Sequence, residues 1–419
     1  MIKKVTSSSL QLVTFIIVVI ALLLSSFLIL MHFHKQFRIQ TSHVIETIRL
    51  SDRGIEYCLS KMVQSRDTLS VELNDEDYKS LKVEMAYWGV FEKVYSESRI
   101  KNKIFKKIAL VGQKQEESKV ALFLKDNGKP LVVVGSARIE GQSYLPKRGI
   151  KSGHINGHSF YGTTYVEGDI MLSKNFPKLN INKSNYIKSL FDSLIGNQNG
   201  IHLLDLNITK KMANSFMKPL LVAYSNQDIS LSGIELSGHI IVQSNTRIVV
   251  DQTSKLHDVI LIAPYIEIKS NVKGTFQGIA TKNIIVSNNV KLDYPSALVL
   301  CFDNENLEAN KQQFIDIRPN TVVKGSVLCL GETEGVNYDI QLRIQHNALV
   351  EGEVYCEGNL ELRGKVYGSV CTNNFIVKER GTTYQNHLYN GEVNVKELTN
   401  QYVGIALDNT SKDIMKWLY

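Results

Sequence analysis

One pattern occurs twice in the chain, as Val323-Lys324-Gly325-Ser326-Val327 and as Val350-Glu351-Gly352-Glu353-Val354. In both segments a glycine lies between two short runs that contain valine. Glycine has no Cβ, so it relieves steric strain in the backbone at a corner between two strands. A longer match links residues 263–286 with residues 356–377, where three successive pieces agree in residue type and order. Such repetition predicts a parallel β-helix, or β-solenoid, with about one turn per repeat.

Small residues recur at the ends of the apolar runs in this region, namely Ala263, Ala280, Cys301, Cys329, Cys356 and Cys371. We expect them to form one inward-facing column at a corner too tight for leucine. This explains four of the five cysteines without redox chemistry, because free cysteine mostly behaves as a small buried hydrophobe. Asparagine suits tight left-handed corners, which we expect at Asn288, Asn289, Asn373 and Asn374.

The predicted fold is mainly β, with an N-terminal transmembrane helix, a small α+β unit and a parallel β-helix (β-solenoid) with a C-terminal cap. The predicted domains are the anchor and juxtamembrane helix at 1–64, the α+β unit at 65–135, the solenoid at 136–394 and the cap at 395–419. A segment at about 178–222 is expected as an insertion in the solenoid. The amphipathic residues 395–419 would cover the last coil and block end-to-end growth.

The segment from Val322 to Gly381 resembles the polymer-forming bactofilin-type β-helix through its Val-x-Gly-x-Val turns. Bactofilins are scaffolds that assemble through the ends of their solenoids. The resemblance therefore implies a structural protein.

The N-terminal region contains 20 residues without a charge, from Leu12 to Met31. As a helix they extend about 30 Å, the thickness of the hydrocarbon core of a bilayer. We expect a retained single-pass anchor with the C-terminal bulk outside the cytoplasm, in the periplasm or at the cell surface; a cleaved signal peptide is the alternative. Basic residues flank both sides of the span, so charge alone does not set its orientation.

Helical periodicity continues beyond the span at Val44, Ile45, Ile48, Ile55, Cys58, Leu59, Met62 and Val63. It predicts one helix from Leu12 to Gln64, whose apolar stripe docks on the protein's own β domain or meets a partner helix. In the α+β unit, Asp126-Asn127-Gly128 separates two apolar runs, Val120–Leu124 and Leu131–Val134. Asn-Gly between such runs predicts a β-hairpin.

An apolar N-terminus that continues into an amphipathic helix and a small β domain resembles the type IV pilins and the type II secretion pseudopilins. The resemblance covers about the first 140 residues. Two family marks are absent, because Ser7-Ser8-Ser9-Leu10 stands where a Gly-Phe-type cleavage site and a nearby glutamate are expected. The resemblance implies a component of a pilus-like or secretion-type envelope machine, with protein partners reached through the juxtamembrane helix.

Charge and motifs indicate no enzyme chemistry. Lys+Arg 48 against Asp+Glu 41 gives only +7, without a basic run that favours nucleic acid. Three carboxylates cluster beside Cys301, but in a polar loop that a solvated turn explains: Asp303, Glu305 and Glu308. The other candidates for catalysis or metal binding are the isolated Asp251 and Asp258, the i,i+4 pair His154 and His158, whose helical alignment Gly157 opposes, and His239, which lies in the repeat. They assign no base, nucleophile and orienting group together, so we expect no catalytic, cofactor or metal site. The prediction is a non-enzymatic, membrane-anchored structural or assembly component; the alternative is a carbohydrate-binding or carbohydrate-cleaving β-helix with a polysaccharide partner.

Overall fold

The computed structural model describes residues 7–60, 68–71, 78–115, 119–192, 201–302, 312–331, 338–405 and 411–418. The chain is mainly β, with one long apolar N-terminal helix and a large set of parallel strands consistent with a β-helix. It divides into two compact units. The first contains the described residues of 7–57, 68–84 and 95–107, and the second contains the other described residues.

The helices are α1 (Ser7–Ser60), α2 (Ile181–Ser189) and a short 3-10 helix (Val395–Glu397). The N-terminal strands are β1 (Thr68–Val71), β2 (Lys79–Trp88), β3 (Phe91–Ile100) and β4 (Lys103–Lys114). The next strands are β5 (Val120–Leu124), β6 (Leu131–Val134), β7 (Arg138–Glu140), β8 (Gln142–Leu145), β9 (Ile150–Ser152), β10 (His154–Ile155), β11 (His158–Ser159), β12 (Ile170–Leu172), β13 (Ile201–Leu203), β14 (Lys211–Asn214), β15 (Leu220–Ser225), β16 (Ile229–Leu231), β17 (Glu235–Gly238) and β18 (Ile240–Ser244).

The remaining strands are β19 (Arg247–Val250), β20 (Lys255–Ile262), β21 (Tyr265–Ile268), β22 (Lys273–Ala280), β23 (Asn283–Val286), β24 (Lys291–Cys301), β25 (Phe314–Ile317), β26 (Val322–Leu330), β27 (Leu342–Ile344), β28 (Leu349–Leu362), β29 (Lys365–Glu379), β30 (Thr382–Gln385), β31 (His387–Tyr389), β32 (Glu392–Asn394), β33 (Val403–Gly404) and β34 (Lys412–Leu418). Helix α1 begins before the predicted Leu12, while Met62, Val63 and the predicted end at Gln64 lie outside the described residues.

Parallel pairing stacks the same kind of side chain from one repeat onto the next. The first ladder consists of Ile229, Ile248, Ile266, Ile284, Ile315, Leu342, Leu360 and Phe375. The second consists of Val242, Leu261, Gly278, Leu298, Val327, Val354, Val370 and Leu122. The third consists of Leu236, Leu256, Gly274, Leu292, Val323, Val350, Val366, Val393 and Ile139. These ladders supply a large part of one continuous apolar core.

Three glycines mark the corner between the third and second ladders. Gly325, Gly352 and Gly368 are stacked in register, with φ of 136°, 145° and 150°. A Cβ on Gly352 would lie 2.0 Å from the carbonyl oxygen of Gly325. This confirms the expected role of glycine at these corners. Of the four asparagines expected in left-handed corners, only Asn289 has a positive φ (61°) among the described residues.

The asparagines at 373 and 374 have a different role. The Asn374 amide donates to Asn359 Oδ1 over 3.1 Å and accepts from Asn127, which in turn accepts from Asn386 over 2.7 Å. Side-chain amides in successive repeats therefore satisfy one another, which offsets the cost of burying them.

The first strands of the parallel set stack on its far end. Strand β5 pairs in parallel with β29 and β8, and β7 pairs in parallel with β32. Strand β6 pairs with β31 and β9, so the predicted hairpin between β5 and β6 is wrong. The Asn-Gly turn does form, with Gly128 at φ 72°. However, all four residues of β6 are buried, and strands buried on both faces favour parallel neighbours.

The C-terminal segment does not cover the last coil. Strands β33 and β34 pair antiparallel with β4, in a sheet of order β1-β2-β3-β4-β33. The end strands β29 and β32 are covered instead by β5 and β7. The predicted cap is therefore wrong in its position, because unpaired strand edges at that end bind main chain from residues 120–140 rather than an amphipathic tail.

The expected insertion at 178–222 is only partly irregular. Helix α2 starts after Asn180, whose side chain accepts from Asn182 N at 2.9 Å. Strands β13, β14 and β15 of the same segment pair in parallel with β15, β17 and β18. The segment therefore returns to the parallel set at Ile201.

Candidate functional site

The two histidines at 154 and 158 do not converge. They lie in the small antiparallel pair β10–β11 and are exposed. His154 Nδ1 contacts Ser159 Oγ at 3.2 Å, whereas His158 Nδ1 contacts Tyr161 Oη at 2.6 Å. Within the described ranges, no group of three His, Cys, Asp or Glu side chains is placed to hold a metal ion.

The two described carboxylates considered for catalysis, Asp251 and Asp258, each have their own local partner. Asp251 accepts from the Thr253 backbone and hydroxyl, a local turn that lowers its pKa. Asp258 pairs with Lys416 at 2.6 Å. Asp303, Glu305 and Glu308 lie outside the described residues.

His239 packs between two aromatic rings and, among the described residues, is not placed beside another candidate catalytic or metal-binding residue. Its ring centroid is 4.9 Å from that of Trp88 and 5.1 Å from that of Phe216, and Nδ1 contacts the Lys218 carbonyl at 3.0 Å. Burial lowers the pKa of His239 to about 4. The imidazole is therefore neutral at pH 7 and packs as an apolar ring with one polar contact.

The cysteines form only part of the expected column. One inward column contains Ala280, Leu300, Cys329, Cys356, Thr372 and Leu124 in register. Cys301 and Cys371 are one residue out of step and pair with Leu330 and Tyr355 on the other face of their strands. The single-column prediction is therefore wrong for these two, and the presence of leucine shows that the column is not too tight for it. Burial raises the pKa of Cys301 to about 12, so this thiol stays protonated at neutral pH.

Helix α1 has two halves with opposite environments. Every described side chain from Ser9 to Ser42 is exposed, including large apolar ones such as Phe15, Leu23 and Phe33. This part is long and apolar enough to cross a membrane, as an anchor or as a signal sequence. Water does not favour such an apolar surface, which requires cover by lipid or protein.

The C-terminal half of the helix packs on strands of the first unit. Its buried positions there are Thr47, Leu50, Ser51, Gly54 and Ile55, which recur at three- and four-residue spacing. A Cβ on Gly54 would lie 2.3 Å from Ser96 Oγ and 2.9 Å from Leu81 Cδ1. The glycine therefore permits a close approach of helix and sheet.

Polar groups fix this docked half in register. Ser96 Oγ donates to the Ser51 carbonyl at 2.9 Å, and Ser98 Oγ donates to the Thr47 carbonyl at 2.7 Å. Ion pairs join Lys79 to Glu46 and Lys107 to Asp52. In the predicted stripe, Ile55 is docked but Ile45 remains 46% exposed, so the stripe divides between the sheet and the surroundings.

A buried ionic cluster lies in the second unit. Glu92 Oε1 is 3.1 Å from Lys183 Nζ, and Glu92 Oε2 is 2.6 Å from Lys412 Nζ. Burial opposes ionisation of Glu92, but the two ammonium groups lower its pKa below the ordinary value. Lys183 is only 1% exposed, so the cluster joins α2, β3 and β34 by charge. No local sequence motif marks this cluster, because Glu92, Lys183 and Lys412 are far apart in the chain.

Glu353 holds the C-terminal segment on the parallel strands. Its Oε2 accepts from Ile405 N at 2.8 Å, while Tyr402 Oη donates to the Gly325 carbonyl at 3.0 Å. Burial raises the pKa of Glu353 to about 7. The adjoining cavity, about 70 Å³, is too small for an organic ligand, so this arrangement is structural.

No family model and no curated protein matches the chain. Among solved structures, the chain is similar to the competence-associated pilin ComZ from Thermus thermophilus. The identity is 9%, the TM-score is 0.23, and the alignment covers 90% of this chain and 97% of that chain. A TM-score of this size does not establish a shared fold.

Proposed function

We propose that the protein is a non-enzymatic, single-pass membrane component that serves assembly in a pilus-like or secretion-type envelope machine. In this proposal the anchor is retained, the bulk of the chain lies outside the cytoplasm, and the parallel strands wind as a β-helix. Protein partners reach it through α1.

The observation that carries the proposal is the division of α1 into an exposed apolar half and a docked half. The exposed half exceeds the roughly 20 residues that a bilayer requires. The docked half is fixed by Gly54 and by the hydrogen bonds of Ser96 and Ser98. A force or a contact applied to the helix within the membrane is thereby transmitted to a folded sheet rather than to a loose linker.

Partner binding is favoured at residues of α1 that lie beyond the lipid span but outside the docked face. Val44 and Ile45 are 40% and 46% exposed, respectively, about two turns before the docked Ser51. Apolar residues at this position suit contact with a second helix at the membrane surface. The separate local partners of Asp251 and Asp258 further support an assembly role over a hydrolase that uses this pair, since glycoside hydrolysis needs two facing carboxylates.

The test compares two substitutions on the same helix. Ile45→Glu, at an exposed position, should abolish cross-linking of the full chain to its envelope partners while the sheet stays folded. Ile55→Glu, at a position 1% exposed, should instead unfold the docked unit. A reporter fused after Tyr419 should be active only outside the cytoplasm.

Three results would contradict the proposal. They are unchanged cross-linking in Ile45→Glu, reporter activity in the cytoplasm, and release of sugar fragments from a polysaccharide by the purified full chain. The last result would favour the carbohydrate-cleaving alternative.

A further inference from the structure

On one face of the three parallel strands β31, β6 and β9, two polar residues flank an apolar one. His387, Val132 and Lys151 are in register across them, and paired residues of adjacent strands project to the same side. Tyr384 lies beside this row, with its ring centroid 5.3 Å from that of His387. An aromatic ring, an imidazole and an ammonium group therefore share one surface.

This surface is concave. It forms a groove of about 420 Å³, lined by Lys129, Pro130, Val132, Lys151, Tyr338, Thr383, Tyr384, Gln385 and His387. The volume lies in the range of sites for small ligands. The lining contains two lysines and two tyrosines but no carboxylate.

Further basic residues lie within four positions of the two lining lysines in the chain. Lys125, Lys147 and Arg148 adjoin the two lining lysines in the chain. The carboxylate within these turns, Asp126, accepts from the backbone N–H groups of Gly128 and Lys147, each at 2.9 Å. In the part of the chain that the structure describes, neither Lys129 nor Lys151 has an ion-pair partner, and the Lys129 ammonium donates to the side-chain oxygen of Gln385. Five basic residues against the one carboxylate of Asp126 leave residues 125–129 and 147–151 net positive.

We propose that this groove binds an acidic saccharide, such as a chain of hexuronate units. The Tyr384 ring packs on the apolar face of a sugar ring, and Lys129 and Lys151 bind its carboxylates. Burial lowers the pKa of His387, so its neutral imidazole contributes hydrogen bonding rather than charge. The groove has only two lining cations, Lys129 and Lys151, whereas nucleic acid requires a longer track of phosphate contacts.

The experiment is a binding titration of the full chain in detergent with tetragalacturonate, at about 50 mM and about 500 mM salt. We expect binding that weakens at the higher salt concentration. Lys129→Ala with Lys151→Ala should weaken it by at least roughly fivefold. Tyr384→Leu should also weaken binding, and Tyr384→Phe should retain it. The matched control is Lys273→Ala with Lys291→Ala, two exposed lysines in register with each other outside the groove.

Several outcomes would overturn the proposal. They are no binding at about 1 mM ligand, equal binding of neutral cellotetraose, equal loss in the control pair, or tighter binding of a single-stranded oligonucleotide than of the uronate. Circular dichroism of each variant separates loss of the groove from loss of the fold.

Discussion

Replacing Gly54 by alanine should destabilise the docked half of α1, although alanine is the better helix former. The added methyl group improves intrinsic helix propensity by about 1 kcal/mol. It also lies 2.3 Å from Ser96 Oγ and 2.9 Å from Leu81 Cδ1. Overpacking of this kind costs about 1–3 kcal/mol. The net effect is a loss of up to about 2 kcal/mol in the free energy of unfolding of the docked unit.

The matched rescue is Ser96→Ala, which removes the hydroxyl that the new methyl group meets. Alone, this change loses the bond from Ser96 Oγ to the Ser51 carbonyl and costs about 1 kcal/mol. Combined with Gly54→Ala, it should cost less than the sum of the two single changes. Hydrogen exchange of helix amides 46–57 in the full chain, with increasing urea, measures each loss. The reasoning is refuted if Gly54→Ala stabilises the helix, or if the two losses simply add.

Three further predictions concern the second unit. Gly352→Ala should lower the free energy of unfolding by more than about 3 kcal/mol, because its Cβ would meet the Gly325 carbonyl oxygen. Gly128→Ala, with open space around its Cβ, should lower it by about 1–2 kcal/mol. Thermal unfolding measures both, and equal losses would contradict this reasoning. Glu92→Gln should lower the free energy of unfolding by about 3–5 kcal/mol, because it leaves buried ammonium groups unpaired. In the wild type, the stability that Glu92 contributes should be lost as the pH falls below about 4.5, since its pKa is lowered in the folded state. Burial raises the pKa of Glu353 to about 7, so ionisation of this carboxyl destabilises the fold as the pH rises from about 4.5 to 7. Glu353→Gln should remove this loss of stability, which is greatest above pH 7. An unchanged dependence of stability on pH in this variant would exclude Glu353 as the cause.

The repeated elements of the fold could be predicted because local chemistry forces them. Gly325 and Gly352 lie where a neighbouring backbone leaves no room for a Cβ, so the same residue type returns at each corner. The membrane-spanning length of α1 could also be predicted, since the uncharged stretch is as long as a bilayer is thick. Such features depend on the residue and its immediate surroundings.

Pairing partners could not be predicted in the same way. The apolar run of β5 indicates a strand, but nothing in it identifies β29 as its neighbour, because the ladder joins main-chain groups that every residue carries. The groove has the same origin, since Lys129 and His387 meet only through that long-range stacking. A search for local motifs therefore misses it.

The stacking of β5 on β29 has a consequence for biosynthesis. Leu122 and its partner Val370 are about 250 residues apart in the chain. At roughly 5–20 residues per second, β5 emerges from the ribosome some tens of seconds before β29 exists. The parallel set therefore cannot be completed in the order of synthesis: the edges of β5 and β7 that pair with β29 and β32 stay open until the last repeats arrive. An open strand edge is a template for aggregation, and truncation after residue 360 would leave β5 and β7 without these partners.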